Sequence, residues 1–260
     1  MIPKKIHYCW FGGNDLPRLA KRCIRSWKKY CPDYEIIRWD ESNYDIKSAP
    51  LYVRQAYEAK KWAFVTDYVR LQLVYEHGGI YMDTDVELVK SLDGLLDNDS
   101  YFGLESKSTI NTGLGFGACK NSPILLELLT DYQNIPFVKE DGTYDLETCT
   151  VRNTRVFIRH GLQESGEMQL LDGTIRILPT CVMRPFHDWD GTLKISPETV
   201  SIHWYNASWQ PKSYQAEKRK SVREKRKRRR KDFFHNLPQR TARKIFGDAA
   251  IEKLKEILKK

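Results

Sequence analysis

"GGIYMDTDVEL", residues 78–88, places two glycines, a short apolar run and two closely spaced aspartates in eleven positions. The apolar "IYM" segment reads as a strand, and Asp83 stands at its end with Asp85 two residues on. Carboxylates that close repel, and burial raises the cost of ionising them. A divalent cation removes the conflict. Oxygen-rich sites suit Mg²⁺ or Mn²⁺, which retain waters and bridge to phosphates. The pair therefore reads best as a metal–diphosphate site, beside the plainer reading of a charged turn. Two further Asp-x-Asp pairs lack that context: Asp97/Asp99 in "DNDS" reads as a turn and Asp188/Asp190 in "HDWDG" as a loop.

Working outward, Gly78 follows a helical pattern running from Tyr52 to His77 in two pieces and would cap its end. Upstream, "KKIHYCW" alternates and stops at the turn "FGGNDLP". Leu16, Leu19, Cys23, Ile24, Trp27 and Tyr30 recur at helical spacing, and "YEIIRWD" reads as a second strand. Downstream, strands are expected at "YFGLE", "GLGFGA", "MQLL", "TIRILP" and "VSIHWY", and helices at Pro123–Tyr132 and Thr150–His160. The alternation predicts an α/β sandwich around a largely parallel central sheet. In such sheets ligands sit at the carboxyl ends of strands, where Trp10, Asp83 and His203 fall.

The 260 residues suffice for one large α/β domain, and their net charge of +9 is unevenly divided. Residues 212–260 hold 19 Lys/Arg against 6 Asp/Glu, which leaves 24 against 28 for residues 1–211. The expected organisation is a mildly acidic catalytic domain over 1–211 and a basic tail over 212–260, helical or partly disordered. Lys218–Lys231 has no apolar face, while Phe233 and Phe234 follow it. No apolar run approaches the roughly 18 residues of a membrane span. Met1–Lys5 leads into "IHYCW" without a small-residue cleavage site, so no signal peptide is expected. The six cysteines form no C-x-x-C pair and read as reduced thiols, which disfavours a zinc site.

Four segments share an order with one family. "IPKKIHYCWFGG", "AFVTDYVRLQLVYEHGGIYMDTDV", "NTGLGFGA" and "SIHWYNASW" resemble the retaining glycosyltransferases of family 32, of capsule and mannosyltransferase type. More distantly they resemble the glucosylating domains of large clostridial toxins. The resemblance implies a GT-A fold, a nucleoside-diphosphate-sugar donor (a UDP-hexose being expected) and Mn²⁺ or Mg²⁺. It implies that Trp10 stacks on the nucleotide base and that Asp67 and Arg70, which share a helix face, hold the donor hexose. It gives Asp83 contacts to ribose, sugar and metal-bound water, and makes Asp85 the direct metal ligand. Asn111 would face donor or acceptor. Ser208 and Trp209 would approach the metal and the diphosphate, and His203 would be a third metal ligand.

A rival chemistry uses the same letters. An apolar strand followed by D-x-D-x-V also resembles the first motif of haloacid-dehalogenase-type phosphatases, with Asp83 as nucleophile and Asp85 as its acid/base. That motif usually opens its domain, and the later lysine and acidic-pair motifs are not found. For the basic tail the expectation is an anionic membrane surface, with the protein cytoplasmic and peripheral on the inner face of the membrane. The acceptor is then a glycan, or one carried on a polyprenyl diphosphate, as in surface polysaccharide synthesis. A nucleic-acid or anion-binding protein acting through the tail is the alternative, although no aromatic residues interleave its basic run for base stacking.

Overall fold

The computed structural model describes residues 1–206 and 212–236. In chain order its elements are β1 Lys5–Cys9, α1 Arg18–Tyr30, β2 Glu35–Trp39, α2 Leu51–Glu58, α3 Trp62–His77, β3 Gly79–Tyr81, β4 Val86–Leu88, β5 Ser100–Gly103 and β6 Phe116–Ala118. There follow α4 Pro123–Gln133, α5 Cys149–Arg159, β7 Gln169–Leu171, β8 Ile175–Leu178, α6 Thr180–Met183, β9 Phe186–His187, β10 Thr192–Leu193, β11 Ser201–His203 and α7 Lys212–Asn236. Short 3₁₀ turns punctuate the loops, one of them at Thr112–Leu114.

Seven strands form one sheet in the order β2-β1-β3-β6-β5-β8-β7. β1 pairs in parallel with both β2 and β3, and β5 with β8. β6 runs antiparallel to both its neighbours, and edge strand β7 antiparallel to β8. Five of the seven strands thus point one way, as the alternation of strands and helices predicts.

Successive strand residues point to opposite faces, and the two cores follow this rule. Tyr81 and Phe102 join one cluster with residues of α2, α3, α4 and α5. Their neighbours Ile80 and Tyr101 join the other, with Cys23 and Trp27 of α1 and Val86 and Leu88 of β4. The α1 side is tied down by polar contacts as well as packing. Trp27 Nε1 donates to the Val86 carbonyl (2.8 Å), and the Leu88 amide donates to Ser26 Oγ (2.9 Å). All six cysteines are free thiols, four of them buried.

β4 was not foreseen. Three residues, Val86–Leu88, leave too short a stretch for periodicity to register, and they pair far along the chain with β11 in antiparallel register. Gly78 ends α3 with φ 65°, a left-handed conformation open to glycine. Its amide donates to the Val74 carbonyl (2.8 Å) as a C-cap would.

The contacts divide the chain into two compact units. The larger holds Met1–Phe186 and the segment from Leu193 onward that includes β11. The smaller joins the His187–Thr192 turn to α7. Within the smaller unit, Lys218 pairs with Asp188 (2.6 Å) and Arg229 with Asp190 (3.4 Å). Lys225 and Arg226 donate to the carbonyls of Trp189 and Gly191. One face of α7 is therefore anchored. Arg219, Lys220, Arg223, Lys227, Arg228, Arg230 and Lys231 are exposed. Among the described residues, no helix is long and apolar enough to cross a membrane.

Candidate active site

The site gathers at the carboxyl end of β3. Asp83 is one residue past the strand's flanking Met82, and the Val86 amide donates to the Asp83 carbonyl (3.0 Å), closing a tight turn that holds Asp85. In β11, His203 lies opposite Val86. That register brings its Nε2 within 3.0 Å of Asp85 Oδ1. The other Asp85 oxygen accepts from the Asn206 amide (2.8 Å). Asp83, Asp85 and His203 each offer one ligand atom within 4.8 Å of the others.

Two carboxylates and an imidazole are a suitable donor set for Mn²⁺ or Mg²⁺. Burial pushes the Asp85 carboxyl up, but the His203 charge and hydrogen bond, with the Asn206 amide, outweigh it and hold the group below the usual carboxylate range. Burial works the other way on His203, and Asp85 overrides it, so the imidazole is more basic than usual. A divalent cation held there would draw on the same two atoms, Asp85 Oδ1 and His203 Nε2, that now face each other. The residues present therefore fit a metal site.

Beside this pair lies a second buried cluster. Arg70 Nη2 is 2.7 Å from Asp67 Oδ1, one turn of α3 away, with both side chains nearly inaccessible. The guanidinium is also held by the Thr66 carbonyl through Nε (2.9 Å) and lies 3.7 Å from Asp83 Oδ1. Burial lifts the Asp67 and Asp83 carboxyls, and the Arg70 charge opposes both shifts. Asp83 is further raised by its neighbour Asp85. Arg70 stays cationic: burial disfavours its charge, but the two carboxylates more than compensate.

Of the expected site residues, Asp67, Arg70 and Asp83 form one contact network, and Asp85 and His203 the adjoining one. Asn111 borders them through Gly113. Its Oδ1 accepts from the Gly113 amide (2.7 Å). Trp10 follows β1, which pairs with β3, so it shares the carboxyl edge with Asp83. It is partly buried, and its Nε1 donates to the Asn14 carbonyl (2.6 Å). Ser208 and Trp209 lie outside the described residues.

Sequence reasoning missed three contributors. Tyr81 donates its hydroxyl to Asp83 Oδ1 (3.0 Å). Being two positions before Asp83, it shares a strand face, so alternation would have found it. Gly113 is the second. A Cβ there would lie 2.5 Å from Asp83 Oδ2 and 3.2 Å from Arg70 Nη1, so only a glycine lets the backbone approach. The third is Asn206, whose main-chain amide carries no side-chain signature.

Comparison with known proteins shows what this chain is similar to. Residues 17–102 match the family model described as the glycosyltransferase sugar-binding region containing a DXD motif. The family resemblance thus holds over the segment that bears Asp67, Arg70, Asp83 and Asp85. Inositol phosphoceramide mannosyltransferase 3 of Schizosaccharomyces pombe is 31% identical over 140 residues, 52% of this chain and 38% of that protein. Subversion of eukaryotic traffic protein A of Legionella pneumophila is 26% identical over 111 residues, 33% of this chain and 17% of its own length. The match therefore spans well under half of these curated relatives. Among solved structures, PaToxG glycosyltransferase aligns with TM-score 0.49 at 21% identity, covering 61% of this chain and 68% of that one. A glycosyltransferase involved in glycosylation of the major capsid of PBCV-1 aligns with TM-score 0.46 at 12% identity, covering 82% and 98%.

Proposed function

We propose that the protein is a metal-dependent glycosyltransferase that moves a hexose from a nucleoside-diphosphate sugar, a UDP-hexose by preference, to an acceptor hydroxyl with retained configuration. The observation that carries this reading is the meeting of Asp83, Asp85 and His203, whose donor atoms lie within 4.8 Å of one another, beside the buried Asp67–Arg70 pair. When bound, Mn²⁺ or Mg²⁺ would supply Lewis-acid stabilisation of the leaving diphosphate. Asp85, Asp83 and His203 would hold it. Asp67 accepts from the hexose hydroxyls and the Arg70 guanidinium donates to them, fixing the sugar against the diphosphate. Trp10, at the edge of the sheet, provides the base platform, and Asn111 faces the reacting sugar. The side chains of Ser208 and Trp209 complete the diphosphate contacts in this reading.

Asp67 and Asp83 are both engaged by Arg70, so neither is assigned as a nucleophile beneath the sugar. Retention is assigned to front-face attack, the leaving phosphate taking the acceptor's proton. The match of residues 17–102 to a sugar-binding region weighs against a phosphatase using Asp83 and Asp85.

The S. pombe relative is named as a mannosyltransferase of inositol phosphoceramide, a lipid. A lipid-borne or polyprenyl-diphosphate-linked glycan acceptor at an anionic membrane surface suits the cations of α7, in keeping with surface polysaccharide synthesis. The test is a panel of nucleotide sugars incubated with the full chain and Mn²⁺, read as released nucleoside diphosphate. Turnover with one donor that disappears under EDTA is the expected result. No turnover of any donor, with no binding of UDP in the presence of Mn²⁺, overturns the reading.

A further inference from the structure

β11 does not simply end at His203. The Trp204 amide continues the ladder by donating to the Asp85 carbonyl (3.0 Å). Tyr205 then turns with φ 48°, a left-handed conformation that a bulky side chain rarely adopts. The turn sends the next amide, that of Asn206, back to the carboxylate of the same aspartate (2.8 Å). Asp85 is thereby held at its carbonyl and its side chain by two amides that flank Tyr205. Backbone strain of this kind persists only where surrounding contacts over-determine it.

The Tyr205 side chain supplies those contacts. Its ring meets the His203 ring edge-on, with centroids 4.1 Å apart. Its hydroxyl accepts from Arg184 Nε (2.7 Å), and the nearby Glu105 carboxylate adds to burial in pushing the phenol's pKa up. Glu105 in turn accepts from Asn111 Nδ2 (3.2 Å), and Asn111 holds the Gly113 amide beside Asp83. One side chain thus touches the Asp85–His203 half of the site and reaches the Asn111–Asp83 half through Glu105.

We infer that Tyr205 is a positioning residue that orients His203 and Asp85 for a divalent cation and ties them to the Asn111 side of the site, an inference that rests on the metal-dependent reading above. Groups that orient metal ligands from behind commonly set affinity as much as the ligands do. The role does not require Tyr205 to touch substrate or metal.

The experiment measures Mn²⁺ affinity of the full chain by calorimetry and by the EPR signal of free Mn²⁺, without donor, together with melting temperature. Tyr205→Phe keeps the ring and cuts the hydroxyl link. It is expected to weaken Mn²⁺ binding about tenfold with an unchanged melting temperature. Tyr205→Ala, which also frees the His203 ring, is expected to weaken it further, toward about 100-fold. Glu105→Gln tests the link from its other end should Tyr205→Ala fail to fold, and a measurable loss of Mn²⁺ affinity is expected. Wild-type affinity in Tyr205→Phe and Glu105→Gln, while Asp85→Asn takes up no Mn²⁺, overturns the inference and leaves the metal-dependent reading standing. Affinity lost only in step with melting temperature also overturns it, since that marks a merely structural role. A wild-type chain that binds no divalent cation brings down both.

Discussion

The carboxylate site and helix α7 handle charge in opposite ways. Around Asp83, three acidic side chains, an arginine and a histidine sit within a few ångströms of one another, largely out of water. On α7, seven cations face solvent on the arc left over by the anchoring contacts to residues 188–192. Buried charges must be matched group by group, because an unpaired one carries an uncompensated desolvation cost. Exposed charges are screened over about 10 Å at 0.1 M salt, so they act collectively and each matters little. Substitutions should therefore cut deeply at the first region and shallowly at the second.

The deepest effect is expected where a ligand atom is displaced. Asp85→Asn should lower metal-dependent turnover on the order of 10³-fold with the fold retained, given what single charge-stabilising groups contribute. Gly113→Ala should approach the same loss, because its Cβ would lie 2.5 Å from Asp83 Oδ2. Steady-state kinetics across a Mn²⁺ series, with circular dichroism of each variant, checks both. Near-normal turnover in Gly113→Ala would show that this loop gives way freely.

Arg70→Lys should cost less, on the order of 10²-fold in turnover, because the ammonium loses the planar fork while the charge stays. Donor kinetics compared with UDP affinity separates the step: turnover should fall while UDP binding holds. Equal losses would move Arg70 away from the sugar.

A third effect concerns stability and does not turn on the charges of either region. Buried His7 accepts from Trp39 Nε1 at Nδ1 (3.1 Å) and reaches the Gly78 carbonyl with Nε2 (2.9 Å). These partners fix the neutral tautomer with its proton on Nε2. Burial lowers its pKa to about 4. The unfolded chain takes up a proton below about pH 6.5, and the folded chain refuses it until near pH 4. Stability is thus complete above about pH 6.5 and falls as pH drops, by about 3 kcal/mol across the window. Urea unfolding at pH 7 and at pH 4.5 checks this. His7→Gln should lose less on the same descent, and a parallel loss in both proteins would assign the acid sensitivity elsewhere.

The shallowest effects belong to α7. Each of Lys220→Ala, Arg223→Ala and Lys227→Ala should weaken sedimentation with anionic vesicles by about 1 kcal/mol, in a salt-dependent manner. Donor hydrolysis should be unchanged. Full-length protein that ignores anionic lipid would end the membrane reading, and a single substitution that abolished attachment would contradict the collective picture.

The local pattern of the chain was enough for much of this. Alternation and glycine placement revealed β1, β2, β3, α3 and the carboxylates after "IYM", because strand and helix periods are short-range properties. The charge split at residue 212 was legible from composition alone, and α7 is helical without needing an apolar face to say so. Other features had no local trace. His203 meets Asp85 across 118 positions only because β11 pairs with three-residue β4 in one register, and a shift by one residue would turn the imidazole to the other face. Gly113 reads as an ordinary loop glycine until Asp83 Oδ2 is seen beside it. Tyr205 reads as one more aromatic until its left-handed backbone returns the Asn206 amide to Asp85. Periodicity records which face a residue occupies. Which residues then meet depends on long-range register and close packing, and those exist only once the whole chain is folded.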